Sequence, residues 1–128
     1  MIDHIEIYVS NLDNTKKFYN KLFNILGYET YQEWDSGISY RYLNTYIVFV
    51  QTEPKYLSHK YHRKHTGLNH LAFSVDSTEK VDFIRNNFLD INTNELYENK
   101  YPNAGYPSYA LFFEDPDRIK IEIVFREN

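Results

Sequence analysis

The second half of this 128-residue chain repeats the first, and that constrains its fold more than any other feature. A shift of 66 positions lays Ile2, His4, Ile5, Ile7 and Val9 on Leu68, His70, Leu71, Phe73 and Val75. The same shift lays Thr15, Phe18 and Leu22 on Val81, Ile84 and Phe88. A repeat of this length implies one supersecondary unit used twice. Stretch 2–10 alternates with strand period, Ile5, Ile7 and Val9 on one face and His4, Glu6 and Tyr8 on the other. A helical stripe of Leu12, Thr15, Phe18, Leu22 and Ile25 or Leu26 follows, with Asn11 placed to cap it and Gly27 to stop it. Strands are predicted near Tyr28–Trp34, Ser39–Leu43 and Tyr46–Gln51.

Residues 52–66 are polar and basic and read as a linker, with room for one helical turn. The order then recurs. A strand carries Leu71, Phe73 and Val75, and a helix capped by Ser77 carries Val81, Ile84 and Phe88. Strands are predicted near Asn92–Tyr97, Ser108–Glu114 and Ile119–Phe125. The fold class is therefore α+β. One domain, 1–128, would contain module one at 1–51, the linker, and module two at 67–128. Each module reads β-α-β-β-β, and together they would form a curved mixed sheet with a central cleft and helices on its outer face.

Face parity picks out three residues. If the odd-numbered apolar residues of the first and fifth strands pack under the helices, His4 and His70 point the other way. On the last strand Ile119, Ile121, Ile123 and Phe125 form the apolar face, leaving Glu122 opposite. Two imidazoles and a carboxylate on such faces suit one divalent metal ion (Zn, Ni, Mn, Fe or Co) with positions left open for substrate. Glu6, on the face of His4, is a candidate proton carrier. Arg41, Tyr42, Tyr101 and Tyr109 are candidates to bind substrate, and Tyr40, Tyr106 and Trp34 are further aromatic residues able to line a cleft.

The stretches "IDHIEIYVSNLDNTKKFYNKLFNILGYE", "GLNHLAFSVDS" and "YALFFEDPDRIKIEIV" resemble the vicinal oxygen chelate superfamily. That superfamily includes glyoxalase I, fosfomycin-resistance proteins, extradiol dioxygenases and bleomycin-resistance proteins. The resemblance implies paired βαβββ modules, a metal in the cleft between them, and ligand positions falling on His4, His70 and Glu122. It also implies a homodimer. Glyoxalase I carries a further glutamate on the last strand of the first module, where this chain has Val48. Arg118 stands in "DPDR" where the family has glycine, at a cost on the order of 1 kcal/mol if the position needs φ > 0.

The function implied is a metal-dependent, glyoxalase-like lyase or isomerase acting on a small molecule that chelates the metal through adjacent oxygens, with Glu122 and Glu6 as its catalytic carboxylates. Fosfomycin-transferase or dioxygenase chemistry is the alternative, as is a non-enzymatic antibiotic-binding protein like the bleomycin-resistance proteins, favoured by the 18% aromatic content. A net charge of -4 gives no reason to expect nucleic acid or an anionic membrane as partner. The absence of cysteine fits a reducing, cytoplasmic compartment. His59, His62 and His65 read as part of a solvated basic loop.

Overall fold

The computed structural model describes residues 1–127. Each half has the β-α-β-β-β order. In the first, β1 (His4–Val9), α1 (Leu12–Leu26), β2 (Glu29–Trp34), β3 (Gly37–Tyr42) and β4 (Thr45–Gln51) give a four-stranded sheet ordered β1-β4-β3-β2. In the second, β5 (His70–Ser74), α2 (Thr78–Asn87), β6 (Glu95–Leu96), β7 (Tyr109–Glu114) and β8 (Lys120–Phe125) give the order β5-β8-β7-β6. The first ladder of each sheet is parallel, since β1 must return beside β4 and β5 beside β8 after the helix has crossed one face. The chain divides into two compact units between Lys60 and Tyr61, inside the stretch read as a linker. That stretch holds one 3-10 turn, Pro54–Tyr56.

In the first unit α1 packs against β3 and β4. Its N-terminus is capped as expected, with Asn11 Oδ1 accepting from the Asn14 amide, and Gly27 ends it at φ 88, a left-handed conformation that glycine adopts without strain. The buried stripe differs from the expected one. It runs Leu12, Thr15, Tyr19, Leu22 and Phe23, and Tyr19 rather than Phe18 is at its centre. Tyr19 stacks on Phe49 at 4.3 Å, and Phe23 meets the Tyr40 ring edge-on at 4.9 Å. A tyrosine can be fully buried when its ring is packed on every side, so hydropathy alone ranked the two aromatics wrongly. At the β2–β3 hairpin the Trp34 ring lies where a Cβ on Gly37 would be, 2.3 Å from its Cζ2, so any side chain at position 37 would displace that ring.

In the second unit Leu71, Phe73, Leu111, Phe113, Ile121 and Ile123 form the face under Val81 and Ile84 of α2. The opposite face also has a small buried cluster, Ala110, Phe112 and Val124, with Leu96 against it. The expected strand at Asn92–Tyr97 shrinks to Glu95–Leu96. Asp90 explains the start: its Oδ1 accepts from the Asn92 amide at 2.8 Å and its carbonyl from the Thr93 amide at 3.0 Å, which commits those residues to a turn. Tyr97, at φ 56, closes the other end and leads into a 3-10 turn at Glu98–Lys100.

The "EDPDR" turn after β7 is held by Asp115. Its Oδ1 accepts from the amides of Asp117 at 2.8 Å and Ile119 at 3.0 Å. Arg118 sits at φ 66, the left-handed value suspected from sequence. Its guanidinium reaches Glu114 at 3.4 Å.

Candidate metal and substrate site

Strand register fixes which side chains share a face. On β5 and β8, His70 lies opposite Lys120 and Ala72 opposite Glu122. Phe112 on β7 lies opposite Glu122 from the other side. Glu122 is buried at 7% exposure, and its Oε1 lies 3.0 Å from His70 Nε2. The other ring nitrogen, Nδ1, lies 2.7 Å from Asn69 Oδ1. The imidazole is thus oriented from behind by a neighbouring oxygen, with Nε2 turned to the carboxylate. Histidines that bind metals are commonly oriented in this way.

The first unit repeats half of this arrangement. His4 Nδ1 lies 2.7 Å from Asp3 Oδ2, and the ring stacks on Tyr46 at 4.6 Å and 8°. Asp3 and Asn69 are equivalent under the 66-residue shift, so both histidines are oriented by the residue before them. The Asp-His and Asn-His dipeptides were the sequence signal for this, and they were overlooked. The register also relates Val48 to the second module. His4 lies opposite Tyr46 and Glu6 opposite Val48, as His70 lies opposite Lys120 and Ala72 opposite Glu122. Val48 is therefore the counterpart of Glu122, buried at 4% exposure, and Glu6 is its exposed neighbour on the same face.

Arg41 shares that face. Its guanidinium lies 4.3 Å from the centroid of Tyr31, which in turn meets Tyr46 at 5.2 Å. Burial, then the charge of Asp3, pushes the Tyr46 phenol above its ordinary value. His4, Tyr46, Tyr31 and Arg41 therefore form a continuous row of flat groups.

The tyrosines expected to bind substrate are placed elsewhere. Tyr42 turns to the helix side, against Tyr28 at 5.3 Å and beside Gly27, so it does not share a face with Arg41. Tyr40 is buried on that side too, its hydroxyl donating to Asn20 Oδ1 at 2.6 Å. Tyr101 and Tyr109 both donate to Asp82 Oδ1 on α2, Tyr109 at 2.7 Å. Arg85 stacks on Tyr101 at 4.1 Å and donates through Nε to both oxygens of Glu95. Burial, then the bond to Asp82, holds the Tyr101 phenol well above the usual tyrosine range. These residues tie the segment before β7 to α2, on the opposite side of the sheet from His70 and Glu122. Next to them a hollow of about 490 Å³ is lined by Thr78, Pro107, Ser108, Tyr109, Phe125, Arg126 and Glu127.

Glu114, at the end of β7, is a buried acid that the sequence reading did not single out. Its Oε2 accepts from Arg63 Nη1 at 2.6 Å and its Oε1 from Asn94 Nδ2 at 2.8 Å. Burial alone would raise its pKa, but the bonds from Asn94 and Arg63 and the charges of Arg118 and Arg63 outweigh it and hold it low. Those partners make Glu114 a structural ion pair. His62 and His65 approach within 5.2 Å of each other on the exposed loop. Among the described residues no group of three or more His, Cys, Asp or Glu side chains stands ready to hold a metal, and none of the helices is long and apolar enough to cross a membrane.

The donor chemistry of His70 and Glu122 fits a divalent cation. An oriented imidazole nitrogen and a carboxylate oxygen face each other on a mostly buried surface, and both are ordinary ligands for Zn, Mn, Fe, Ni or Co.

Comparison with known proteins agrees with this architecture. The Bacillus subtilis (strain 168) protein YqjT, itself uncharacterised, is 43% identical over 122 residues, which are 94% of this chain and 95% of that one. A Bacillus halodurans protein provisionally assigned as a glyoxalase superposes with a TM-score of 0.95 at 48% identity, covering 98% of this chain and 96% of the other. The fosfomycin-resistance protein FosX of Listeria monocytogenes, crystallised as a point mutant with Mn(II) and 1S,2S-dihydroxypropylphosphonic acid, shares the fold at a TM-score of 0.68 and 19% identity, over 97% of this chain and 88% of its own. The sequence profile of one family matches residues 1–123, spanning both modules and both oriented histidines, and the chain belongs to that family, the glyoxalase/bleomycin resistance protein/dioxygenase superfamily.

Proposed function

We propose that the protein is a metal-dependent, glyoxalase-like enzyme of the lyase or isomerase type, acting on a small molecule that chelates the metal through adjacent oxygens. The supporting observation is the His70–Glu122 pair, with His70 oriented by Asn69 and His4 oriented by Asp3 at the equivalent position of the other module. His70 and Glu122 would hold one divalent ion, with His4 as the third ligand on the family resemblance alone. Such an ion supplies Lewis-acid stabilisation of negative charge developing on a chelated oxygen. Glu6 would take up or return the proton, since it is an exposed carboxylate two residues after His4 on the same face. Arg41, its guanidinium supported on Tyr31, would orient an anionic or carbonyl end of the substrate. Val48 in place of an acid separates this site from that of glyoxalase I and leaves Glu122 as the acidic ligand. We place the enzyme in the cytoplasm as a homodimer, the assembly implied by the resemblance of its paired modules.

Elemental analysis of protein purified without chelator tests the reading, alongside His4→Ala, His70→Ala and Glu122→Ala. About one equivalent of a transition metal is expected in the wild type and a loss in each variant. Metal at trace level in the wild type, or unchanged in the variants, refutes it. A second reading, sequestration of a flat ligand without turnover, is favoured by the His4–Tyr46–Tyr31–Arg41 row. It requires stoichiometric binding by metal-free protein.

A further inference from the structure

Lys120 precedes Glu122 by two residues on β8, so both side chains leave the same face of the sheet. It is also the register partner of His70 across the parallel ladder. Its Nζ donates to the Tyr97 hydroxyl at 3.3 Å and lies 5.4 Å from the Tyr97 centroid and 5.6 Å from that of Phe112. Phe112 in turn meets the His70 ring edge-on at 6.3 Å and lies opposite Glu122. One aromatic wall therefore carries both the ammonium and the imidazole–carboxylate pair.

The ion pairs among the described residues do not include Lys120. The nearest candidate by register is Glu114, and its oxygens are occupied by Arg63, Asn94 and Arg118. Aromatic faces hold the cation in position but do not neutralise it. One of these rings belongs to Tyr97, whose backbone is in the left-handed region at φ 56. A bulky residue is uncommon there, and such conformations persist where the surroundings enforce them.

We propose that Lys120 is a specificity-determining residue that recognises an anionic oxygen group on the substrate, a few bonds from the oxygens that chelate the metal. The substrate class is then a small 2-hydroxy or 2-oxo acid, or a compound with an equivalent oxyanion, rather than a neutral diol or ketol. This rests on the metal-site reading of His70 and Glu122 and adds the charge of the substrate to it. Lys120 makes no claim on the metal itself.

Glycolate and glycolamide test the proposal: both chelate through a hydroxyl and a carbonyl-type oxygen, and the metal's own preference for the carboxylate is common to wild type and variants, so Lys120 is read from the change in preference between them. Binding of each to Mn(II)-loaded protein is read from displacement of metal-bound water in proton relaxation, with Mn(II) occupancy measured separately by electron paramagnetic resonance. A charge-assisted contact at a half-exposed site makes the preference for glycolate about tenfold larger in the wild type than in a neutral Lys120 variant. The preference should fall as salt is raised. Lys120→Met and Lys120→Gln should lose that tenfold factor while holding Mn(II) no more weakly than the wild type, and Lys120→Arg should keep most of it. Thermal melts confirm that at least one neutral variant is folded. A preference about tenfold smaller in a folded, Mn(II)-bearing neutral variant supports the proposal. A preference undiminished there, or absent from wild type that holds Mn(II), overturns the role of Lys120 alone. Wild-type protein that takes up no Mn(II) overturns the metal-site reading and this proposal with it.

Discussion

Replacing Glu114 with glutamine removes one charge from a buried pair and changes almost no volume. The carboxylate is 6% exposed and Arg63 16%, so neither is well solvated. Removing one partner of a buried pair costs roughly 3–5 kcal/mol when the other is stranded. Glutamine keeps one acceptor for Arg63 Nη1, and Asn94 can turn its amide to meet the new NH2 group. Glu114→Gln is therefore expected to cost about 2–3 kcal/mol, below that full range. Urea unfolding at neutral pH measures this, with the slope against urea unchanged. The pH dependence supplies an internal control. Glu114 has a native pKa below its ordinary 4.5, so its contribution is complete above pH 4.5 and is lost as pH falls through the native value. The gap between wild type and variant should therefore close as the solution is acidified. A gap under about 1 kcal/mol at neutral pH, or one that stays constant into acid, refutes the buried-pair account.

Tyr101→Phe removes one of two hydroxyls on Asp82 and should cost about 1 kcal/mol in thermal or urea unfolding. Because the Tyr101 phenol is held above its ordinary 10.0, the stability it supplies is complete below pH 10 and is lost as pH rises through the native value. Absorbance at 295 nm should show that phenol ionising only with unfolding, and titration with the exposed tyrosines would contradict the Asp82 cluster. Arg118→Gly trades left-handed strain of about 1 kcal/mol against the flexibility of glycine, roughly 0.5–1 kcal/mol, and an ion pair whose arginine is 67% exposed. A net change within about 0.5 kcal/mol of zero is expected in urea unfolding, and a loss above 1 kcal/mol would mean the Glu114 contact is worth more than exposed pairs usually are. Val48→Glu should lose about 3 kcal/mol in metal-free protein by placing a carboxylate at a position 4% exposed. Thermal melts with Mn(II) should recover part of that loss, and equal melts with and without metal would contradict the equivalence of Val48 and Glu122.

The repeat and the strand parities were legible because alternation assigns each residue to a face without knowledge of its neighbours. Glu122, His70 and His4 were assigned to the faces away from the helices that way. The tyrosines were not, because tyrosine is at home both in a core and at a wet surface. Parity could have placed two of them: Tyr42 keeps step with buried Tyr40, and Tyr109 with buried Leu111 and Phe113. The Asp82 cluster was hidden because its members come from a helix, a loop and a strand, and no spacing rule connects them. Helical periodicity located the α1 stripe, and the choice between adjacent Phe18 and Tyr19 depended on packing that only the folded sheet supplies. Asp3 and Asn69 were readable, as the residues before the two histidines.

His4 and His70 begin β1 and β5, and each of these strands ends its sheet's order, attached through one parallel ladder. That ladder joins His4 to Tyr46 and His70 to Lys120, the most distant pairings along the chain within each sheet. The hairpins β2–β3, β3–β4 and β7–β8 close over shorter loops. Long loops close late because their entropy must be overcome before the pairing is gained. Each oriented histidine is therefore expected to reach its place at the end of folding, and on the proposed metal-site reading a metal ion added during refolding would report the last step of assembly.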